Sequence, residues 1–364
     1  MTSSTISVNG HRIGAGSPVY VIAELSANHG GRYETAVRIV EAAKAAGADA
    51  IKLQTYTPDT ITIASDAEPF RLGDGSLWAG RTLYDLYGEA SMPWEWQPRL
   101  KALATELGLD CFSSPFDPTA VAFLEKMDVP AYKVASFELV DLPLVRLMAR
   151  TGKPLIMSTG MATEDEIDEA VAAARGAGAT QIALLKCTSA YPSPPEAINL
   201  GAIAVMAGRW DVPVGLSDHT IGEAVPVAAV AVGAAIVEKH LTLDHDHATP
   251  DSPFSLDADE FKRMVAAIRV AEQALSGASL GPTPAEEGSR KFRRSLFVVE
   301  DVPAGQPLTA RNVRSIRPAA GLHTRHYEGV LGRRAVRDIS RGTPLAWDML
   351  EPAIGSPAAT DPRA

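Results

Sequence analysis

The feature that most constrains the fold is a repeated alternation of short apolar segments with alanine-rich segments between about residues 19 and 275. Eight apolar segments, rich in β-branched residues, read as strands: 19–25, 50–56, 109–115, 131–136, 154–159, 182–189, 212–218 and 235–242. The intervening segments predict helices, among them 33–46, 94–107, 119–127, 163–175 and 224–232. Nearly continuous apolar strands that alternate with helices are typical of a parallel sheet covered on its faces. Eight such units over about 250 residues predict a (β/α)₈ TIM barrel, with a doubly wound open sheet as the alternative.

The chain changes character after the predicted barrel. A barrel domain over 1–276 is followed by a segment rich in Gly, Pro and Ala, 277–290, which we interpret as a linker. Residues 291–353 carry short strand-like segments and contain a weak repeat: VEDV at 299–302 and GQPL at 305–308 are echoed by VRDI at 336–339 and GTPL at 342–345. Two copies of one strand–turn–strand unit predict a small, pseudo-symmetric β-rich domain. We expect residues 354–364 to form a flexible tail.

Charge and composition exclude several classes of partner. The net charge of −10 argues against nucleic acid or an anionic membrane as the main partner. The first ten residues lack the pattern of a signal peptide, and no apolar run reaches the roughly 20 residues of a membrane helix. Cys111 and Cys187 lie in predicted strands and are expected to be buried free thiols. These features predict a cytoplasmic protein with a small-molecule substrate.

Polar residues end most of the predicted barrel strands. They are Glu24, Lys52, Gln54, Ser113, Ser114, Lys133, Ser136, Ser158, Thr159, and the residues of 186–189, 217–219 and 238–240. The active site of a TIM barrel lies at the C-terminal ends of its strands. A barrel with a purely structural role would not need groups that bind anions, bind metals or move protons at so many of these ends. The pattern therefore predicts an enzyme.

The residue types at these ends indicate the chemistry. Lys52 and Lys133, with serines nearby, suit a phosphate or carboxylate, although either lysine alone is equally explained by a structural ion pair. His219 and His240 end successive strands about 4.8 Å apart and can share one metal ion of the Mn²⁺ or Zn²⁺ kind. Glu24 is either a general base or an ion-pair partner of Lys52. The DHDH run at 244–247 is interpreted as a solvated charged turn rather than a second metal site.

Around these residues the chain resembles the sialic acid synthase family. The matching segments are IAELSANHGG, GADAIKLQTYTPD, CFSSPFD, AYKVASFE, IMSTGMAT, ALLKCTSAYPSP, VGLSDHTIG, VEKHLTLD and PDSPFSL. After the linker, KFRRSLFV, SIRPAAGL and GTPL resemble the antifreeze-like (SAF) domain of that family. LSANH, QTYTPD, FSSPFD and CTSAYPSP resemble its pseudaminic acid branch more than they resemble N-acetylneuraminate synthases.

The resemblance implies a carbon–carbon bond-forming transferase. Members of the family couple phosphoenolpyruvate to an open-chain N-acetylated amino sugar, with release of phosphate and formation of a nine-carbon α-keto acid. The pseudaminic acid branch implies 2,4-diacetamido-2,4,6-trideoxy-L-altrose as the acceptor. The alternatives are N-acetylneuraminate or legionaminate synthesis and, in another class, a metal-dependent pyruvate aldolase; a non-enzymatic glycan- or surface-binding role would leave the strand-end residues unexplained.

The resemblance also implies a role for individual residues. His219 and His240 correspond to ligands of a catalytic divalent metal (Mn²⁺, Mg²⁺ or Co²⁺), and Glu24 corresponds to the acid/base carboxylate. The residues implied to hold phosphoenolpyruvate are Lys52, Lys133, Ser136, Ser217, Ser114 and Ser189, the last standing where N-acetylneuraminate synthases usually carry Asn. The residues implied to contact the sugar are Gln54, Tyr191, Asp251 and Arg317. Arg317 would be offered to the active site of a partner subunit, which implies a domain-exchanged homodimer.

Overall fold

The computed structural model describes residues 4–352 except 74–76, 247 and 278. The chain divides into two compact units, Met1–Ser276 and Gly277–Ala364. The tail predicted at 354–364 lies outside the described residues. No helix in the described part of the chain has the length and apolarity needed to cross a membrane.

The first unit is a closed barrel of eight parallel strands, which confirms the predicted TIM barrel and excludes the open sheet. An antiparallel hairpin, β1 (Thr5–Val8) and β2 (His11–Gly14), precedes the barrel and was not predicted. The barrel strands are β3 (Tyr20–Glu24), β4 (Ala50–Thr55), β5 (Asp110–Pro115), β6 (Tyr132–Val134), β7 (Leu155–Ser158), β8 (Ile182–Cys187), β9 (Val214–Asp218) and β10 (Ile236–His240). Each strand pairs with the next in sequence, and β10 pairs with β3 to close the ring.

Helices connect the strands and cover the barrel. They are α1 (Tyr33–Ala46), α2 (Pro58–Ile61), α3 (Leu83–Ala90), α4 (Gln97–Glu106), α5 (Pro118–Met127), α6 (Leu142–Ala149), α7 (Glu164–Gly176), α8 (Ala202–Trp210), α9 (Ala224–Ala231) and α10 (Ala258–Leu275). Their ends follow ordinary capping rules. Thr163 and Glu166 form a capping box at the start of α7, and Gly47 ends α1 with a left-handed φ of 87°.

Two hydrophobic clusters of buried residues hold the barrel together. At the N-terminal ends of the strands, the hairpin packs Ile6, Val8 and Ile13 into one of these clusters. The buried Asp110 carboxylate, at the start of β5, anchors this end: Asn9 Nδ2 donates to it at 2.8 Å and Tyr20 Oη at 2.6 Å. The polar residues lie at the opposite, C-terminal ends of the strands.

The second unit contains β11 (Ser295–Val298), β12 (Val313–Ile316) and the short helices α11 (Glu287–Arg290) and α12 (Tyr327–Val330). The predicted repeat is confirmed as a pseudo-twofold arrangement. Asp301 accepts a hydrogen bond from the Arg341 amide at 2.7 Å, and the equivalent Asp338 accepts one from the Ala304 amide at 2.7 Å. Between the copies, bridges join 297 to 344 and 307 to 334, so each half repeats the contacts of the other.

Candidate active site at the barrel mouth

A cavity of about 450 Å³ lies at the C-terminal ends of the barrel strands. Nine of the predicted site residues line it: Lys52, Gln54, Lys133, Ser136, Tyr191, Ser217, His219, His240 and Asp251. Three others do not line the cavity but lie next to it. Glu24 and Ser114 contact Lys52, and Ser189 lies beside Gly160. Arg317 belongs to the second unit, where it follows β12 and is exposed. The structure therefore brings together every predicted residue of the first unit.

Glu238 lies at the centre of a buried charge network. Its Oε1 accepts a hydrogen bond from Ser217 Oγ at 3.0 Å and lies 3.7 Å from Lys52 Nζ and 3.9 Å from Lys133 Nζ. Burial alone would raise the pKa of Glu238, but Lys133 and Lys52 hold it below the usual value. Burial lowers the pKa of Lys133, whose Nζ also donates to Ser158 Oγ at 2.6 Å. Two ammonium groups thus converge on one carboxylate at the place where the sequence predicted an anion.

Glu24 forms the second carboxylate of this network. Its Oε2 lies 2.7 Å from Lys52 Nζ, and its Oε1 accepts a hydrogen bond from Gln54 Nε2 at 2.9 Å. Gln54 also donates to Ser26 Oγ at 2.8 Å, which fixes the orientation of its amide. Burial raises the pKa of Glu24, although Lys52 opposes the shift. The predicted ion pair with Lys52 is therefore observed. The raised pKa suits a general base, and that role of Glu24 stays a prediction.

His219 and His240 lie side by side, with ring centroids 5.4 Å apart. The Nδ1 atom of His219 lies 3.3 Å from the carbonyl oxygen of Thr188, and a hydrogen bond there leaves Nε2 as the lone-pair donor. His240 Nδ1 is buried, has no hydrogen-bond partner among the described residues, and lies 3.7 Å from Asp251 Oδ2. Burial, together with the neighbouring His219, lowers the pKa of His240 well below its usual value. A neutral imidazole is the form that binds a metal, and the lowered pKa of His240 favours that form. Burial alone would also lower the pKa of His219, but its contact with Cys187 raises it. Two imidazoles at this separation fit a divalent ion when both are neutral.

Gly160 follows β7 between two predicted anion-binding serines. Its amide donates to Ser136 Oγ at 3.2 Å. A Cβ atom at this position would lie 2.2 Å from Ser189 Oγ and 2.7 Å from Ser136 Oγ. The absence of a side chain at Gly160 therefore lets the Ser136 and Ser189 hydroxyls approach its backbone. This group of donors suits an oxyanion.

Two carboxylates at the mouth were given no role by the sequence interpretation. Glu238 was included among the strand-end groups, and its spacing of two from His240 was the signal that both point into the barrel. Glu138, in the segment AYKVASFE, lines the cavity from a short 3₁₀ helix after β6. Burial raises its pKa to about 7, and its Oε2 has no hydrogen-bond partner among the described residues.

Some strand-end polar residues do not face the cavity, which corrects the expectation that all of them share one site. Lys239 and Asp218 are fully buried outside it and form an ion pair of 2.5 Å with each other. Ser113 Oγ lies 2.6 Å from Thr55 Oγ1, also away from the cavity lining. These residues have the opposite parity along their strands from those at the mouth, because successive strand side chains point to opposite faces.

Asp244, His245 and Asp246, in the charged loop after β10, are not among the residues that line the cavity. Among the described residues, His245, Asp257 and Glu260 are the cluster of three potential metal ligands whose atoms lie within 4.8 Å of one another. His245 Nε2 lies 2.9 Å from Glu260 Oε2, and the imidazole is about half exposed. Glu260 and Asp257 also form the capping box of α10. This is the geometry of a surface ion pair at a helix start, and His247 lies outside the described residues.

Comparison with known proteins identifies two regions of the chain. Residues 39–279 match the sequence model of the NeuB family, and residues 293–351 match that of the SAF domain. A pseudaminic acid synthase of Campylobacter jejuni is 46% identical over 327 residues, which cover 90% of this chain and 95% of the relative. A pseudaminic acid synthase of Helicobacter pylori is 44% identical over 338 residues, which cover 93% and 99%.

A solved structure has the same fold. The N-acetylneuraminic acid synthetase of Leptospira borgpetersenii, crystallised with citrate, superposes with a TM-score of 0.70 at 30% sequence identity. The match covers 79% of this chain and 95% of the solved chain.

Proposed function

The chain belongs to the NeuB family, and from this membership and the geometry of the barrel mouth we propose that it is a nonulosonic acid synthase. The membership confirms the resemblance that the sequence motifs indicated. The proposed reaction joins phosphoenolpyruvate to 2,4-diacetamido-2,4,6-trideoxy-L-altrose and releases phosphate. The observation that carries the proposal is the convergence of Lys52 and Lys133 on one buried point beside His219 and His240.

The lysines and serines hold phosphoenolpyruvate. Lys52 and Lys133 supply positive charge in a buried site, where a charge-assisted hydrogen bond is stronger than in water. Ser136, Ser217 and Ser189 add hydroxyl donors around the same space, and Ser114 orients Lys52 through a 3.4 Å contact. Fixing both the phosphoryl and the carboxylate groups sets the direction of C3 toward the acceptor, so proximity contributes much of the rate.

His219 and His240 would hold a divalent metal ion of the Mn²⁺, Mg²⁺ or Co²⁺ kind. When bound, such an ion supplies a Lewis acid that polarises the aldehyde oxygen of the open-chain sugar. The chain's own residues orient the pair: the Thr188 carbonyl fixes the tautomer of His219, and Asp251 lies beside His240. An unpartnered buried nitrogen is costly, so the His240 Nδ1 atom also favours an occupied site.

Glu24 handles the proton of the water that adds at C2. Bond formation at C3 leaves positive charge at C2, water adds there, and phosphate then leaves with cleavage of its bond to C2. The raised pKa of Glu24 lets its carboxylate accept the proton of that water near neutral pH. Gln54 holds the carboxylate in place, and binding of an anion to Lys52 further favours transfer of a proton to Glu24.

Three residues of the cavity lining are proposed to hold the acceptor sugar. Gln54, Tyr191 and Asp251 offer an amide, a phenol and a carboxylate to its hydroxyl and amide groups. The Tyr191 ring lies 4.7 Å from that of His219, and Asp251 Oδ2 lies 3.7 Å from His240 Nδ1, so two of these residues adjoin the histidines. These positions suit an open-chain amino sugar whose aldehyde points toward the histidines.

The proposed assembly is a homodimer in which Arg317 of one subunit completes the site of the other. A mixture of an Arg317→Ala variant with a Lys133→Met variant tests it, because subunit exchange would create dimers with one intact site. Recovered activity of up to about a quarter of the wild-type value is expected from random pairing. If the two variants exchange subunits and the mixture still has no activity, the proposal that Arg317 completes the partner's active site would be contradicted.

The reaction is tested by measuring phosphate release from phosphoenolpyruvate after EDTA treatment and again with Mn²⁺ restored. The acceptors are the L-altrose sugar, its legionaminic counterpart 2,4-diacetamido-2,4,6-trideoxy-D-mannose, and N-acetylmannosamine. We expect metal-dependent release with the first acceptor. Release with another acceptor would move the enzyme to the legionaminate or N-acetylneuraminate reaction. Consumption of pyruvate, supplied in place of phosphoenolpyruvate, would indicate the aldolase.

A matched pair of histidine variants locates the metal. His240→Asn is expected to abolish the response to Mn²⁺, whereas His245→Asn, in the exposed cluster, is expected to leave it unchanged. Loss of the response in the His245 variant alone would place the catalytic ion outside the barrel mouth.

A further inference from the structure

The cavity at the barrel mouth has two unlike sides. The strand ends form a charged side, described above. The facing side is formed by the long connection between β4 and α4, which contains α2 and α3. Its cavity-lining residues are mainly apolar: Ile61, Leu72, Leu83, Leu86 and Ala90.

Helix α3 turns its apolar face to this cavity. Leu83, Leu86, Tyr87 and Ala90 are spaced by three, four and seven residues, which places them on one face of the helix. All four line the cavity. Leu83, Leu86 and Ala90 are absent from the hydrophobic clusters that the described residues of the barrel form. Leu86 is buried, whereas Leu83 and Ala90 are partly exposed at the cavity.

The apolar wall is anchored next to the acceptor residues. Trp78, in the same connection, donates a hydrogen bond from Nε1 to the carbonyl oxygen of Pro250 at 3.1 Å. Pro250 precedes Asp251, and the Trp78 ring lies 6.0 Å from that of Tyr191. The wall therefore has a fixed position relative to two residues proposed to bind the acceptor.

We propose that the α3 face receives methyl groups of the acceptor and selects acceptors that carry them. This inference rests on the proposed function. A methyl group loses nothing by leaving water for this wall, whereas a hydroxyl group would lose its hydrogen bonds to water, because Leu83, Leu86 and Ala90 offer no side-chain partner. A hydrophobic site discriminates against an added hydroxyl by about tenfold to a hundredfold. The methyl group comes from a 6-deoxy carbon or from an N-acetyl group.

The test compares kcat/KM for three acceptors. They are the diacetamido 6-deoxy sugar, the analogue with a hydroxyl group at C6, and the analogue with N-formyl groups in place of both N-acetyl groups. We expect the wild-type enzyme to prefer the first by about tenfold to a hundredfold over at least one analogue. The analogue that is disfavoured identifies which methyl group contacts the wall.

Two wall variants and one control complete the test. Leu83→Asn is expected to reduce the preference for the 6-deoxy acceptor over the disfavoured analogue at least about fivefold. Ala90→Leu is expected to raise the KM of the 6-deoxy acceptor. Both variants should keep the wild-type KM for phosphoenolpyruvate. Tyr84→Phe, on the same helix but outside the cavity lining, should change neither. Thermal unfolding establishes that each variant is folded.

The outcomes separate this inference from the reaction itself. An active wild-type enzyme whose acceptor preference is the same in the folded Leu83 and Ala90 variants would overturn the role of α3 and leave the proposed reaction standing. A wild-type enzyme that releases no phosphate with any of these acceptors would overturn both.

Discussion

Replacement of Gly160 by alanine tests the anion-binding part of the site. The added Cβ would lie 2.2 Å from Ser189 Oγ and 2.7 Å from Ser136 Oγ, whereas ordinary contact begins at 3.4 Å. Each hydroxyl must therefore rotate away or the strand end must shift. The hydrogen bond from the Gly160 amide to Ser136 would be broken or lengthened at the same time.

The size of the effect follows from the bonds that are lost. A hydrogen bond to a charged group is worth about 1.5–3 kcal/mol, and 1.4 kcal/mol corresponds to a factor of about ten. Displacement of one serine from the phosphoenolpyruvate anion should therefore lower kcat/KM for that substrate about tenfold to a hundredfold. The effect on the free energy of unfolding should be small, because the serines lie at a cavity rather than in the core.

Initial rates of phosphate release at varied phosphoenolpyruvate concentration measure this effect. Gly176→Ala is the matched control: this glycine ends α7 in the same β/α unit, and an added Cβ there meets no atom within 4 Å. The control should keep the wild-type kcat/KM. A folded Gly160→Ala enzyme with an unchanged kcat/KM for phosphoenolpyruvate would refute the assignment of Ser136 and Ser189 to anion binding.

Three further substitutions test other parts of the account. Glu24→Gln should retain the fold and phosphoenolpyruvate binding, measured by calorimetric titration, but lose turnover because its amide accepts no proton; an unchanged kcat would contradict its assignment. Burial raises the pKa of Glu138 from 4.5 to about 7, so the folded protein binds this proton more tightly than the unfolded chain does. The stability that the proton contributes is fully present below pH 4.5 and is lost as the pH rises through 7. Relative to Glu138→Gln, wild type should lose about 1–3 kcal/mol of unfolding free energy between pH 5 and pH 8 in urea titrations, and parallel pH profiles would count against the shift. Asp110→Ala removes the buried acceptor of the Asn9 and Tyr20 hydrogen bonds and should cost about 3 kcal/mol or more of stability in thermal unfolding, while the mouth stays intact; a variant as stable as wild type would mean that this anchor is dispensable.

The barrel was predictable because the spacing of apolar residues within each short segment indicates whether the segment forms a strand or a helix. The helix predicted at 33–46 has the bounds of α1, since its apolar spacing ends at Gly47, which takes the left-handed conformation that stops a helix. The pseudo-twofold of the second unit was also predictable, because each copy repeats the aspartate that caps the other. In both cases the residues that decide the structure are close in sequence or repeat at a fixed distance.

The roles of individual strand-end residues were less accessible, because they depend on which way each side chain points. Lys239 and Glu238 are neighbours in sequence, yet Glu238 joins the charge network of the mouth and Lys239 pairs with Asp218 outside it. Period-two counting from His240 separates them, but only once the strand bounds are known.

The apolar wall of the cavity was not predictable at all. The spacing of Leu83, Leu86 and Ala90 is that of a helix that packs on a core, and sequence periodicity does not distinguish a core from a cavity. The hairpin of β1 and β2 was missed for a related reason. Its strands are only four residues long and gain their stability from packing on the barrel rather than from a local pattern.

The most direct test of the central claim follows the oxygen that bridges carbon and phosphorus in phosphoenolpyruvate. With oxygen-18 at this position, the diacetamido sugar as acceptor and Mn²⁺ present, mass spectrometry should find a nine-carbon acid without the label and phosphate with it. That result would mean that C–C bond formation is coupled to cleavage of the carbon–oxygen bond, as the account requires. A nine-carbon product that retains the label, or pyruvate and phosphate without any nine-carbon product, would contradict it.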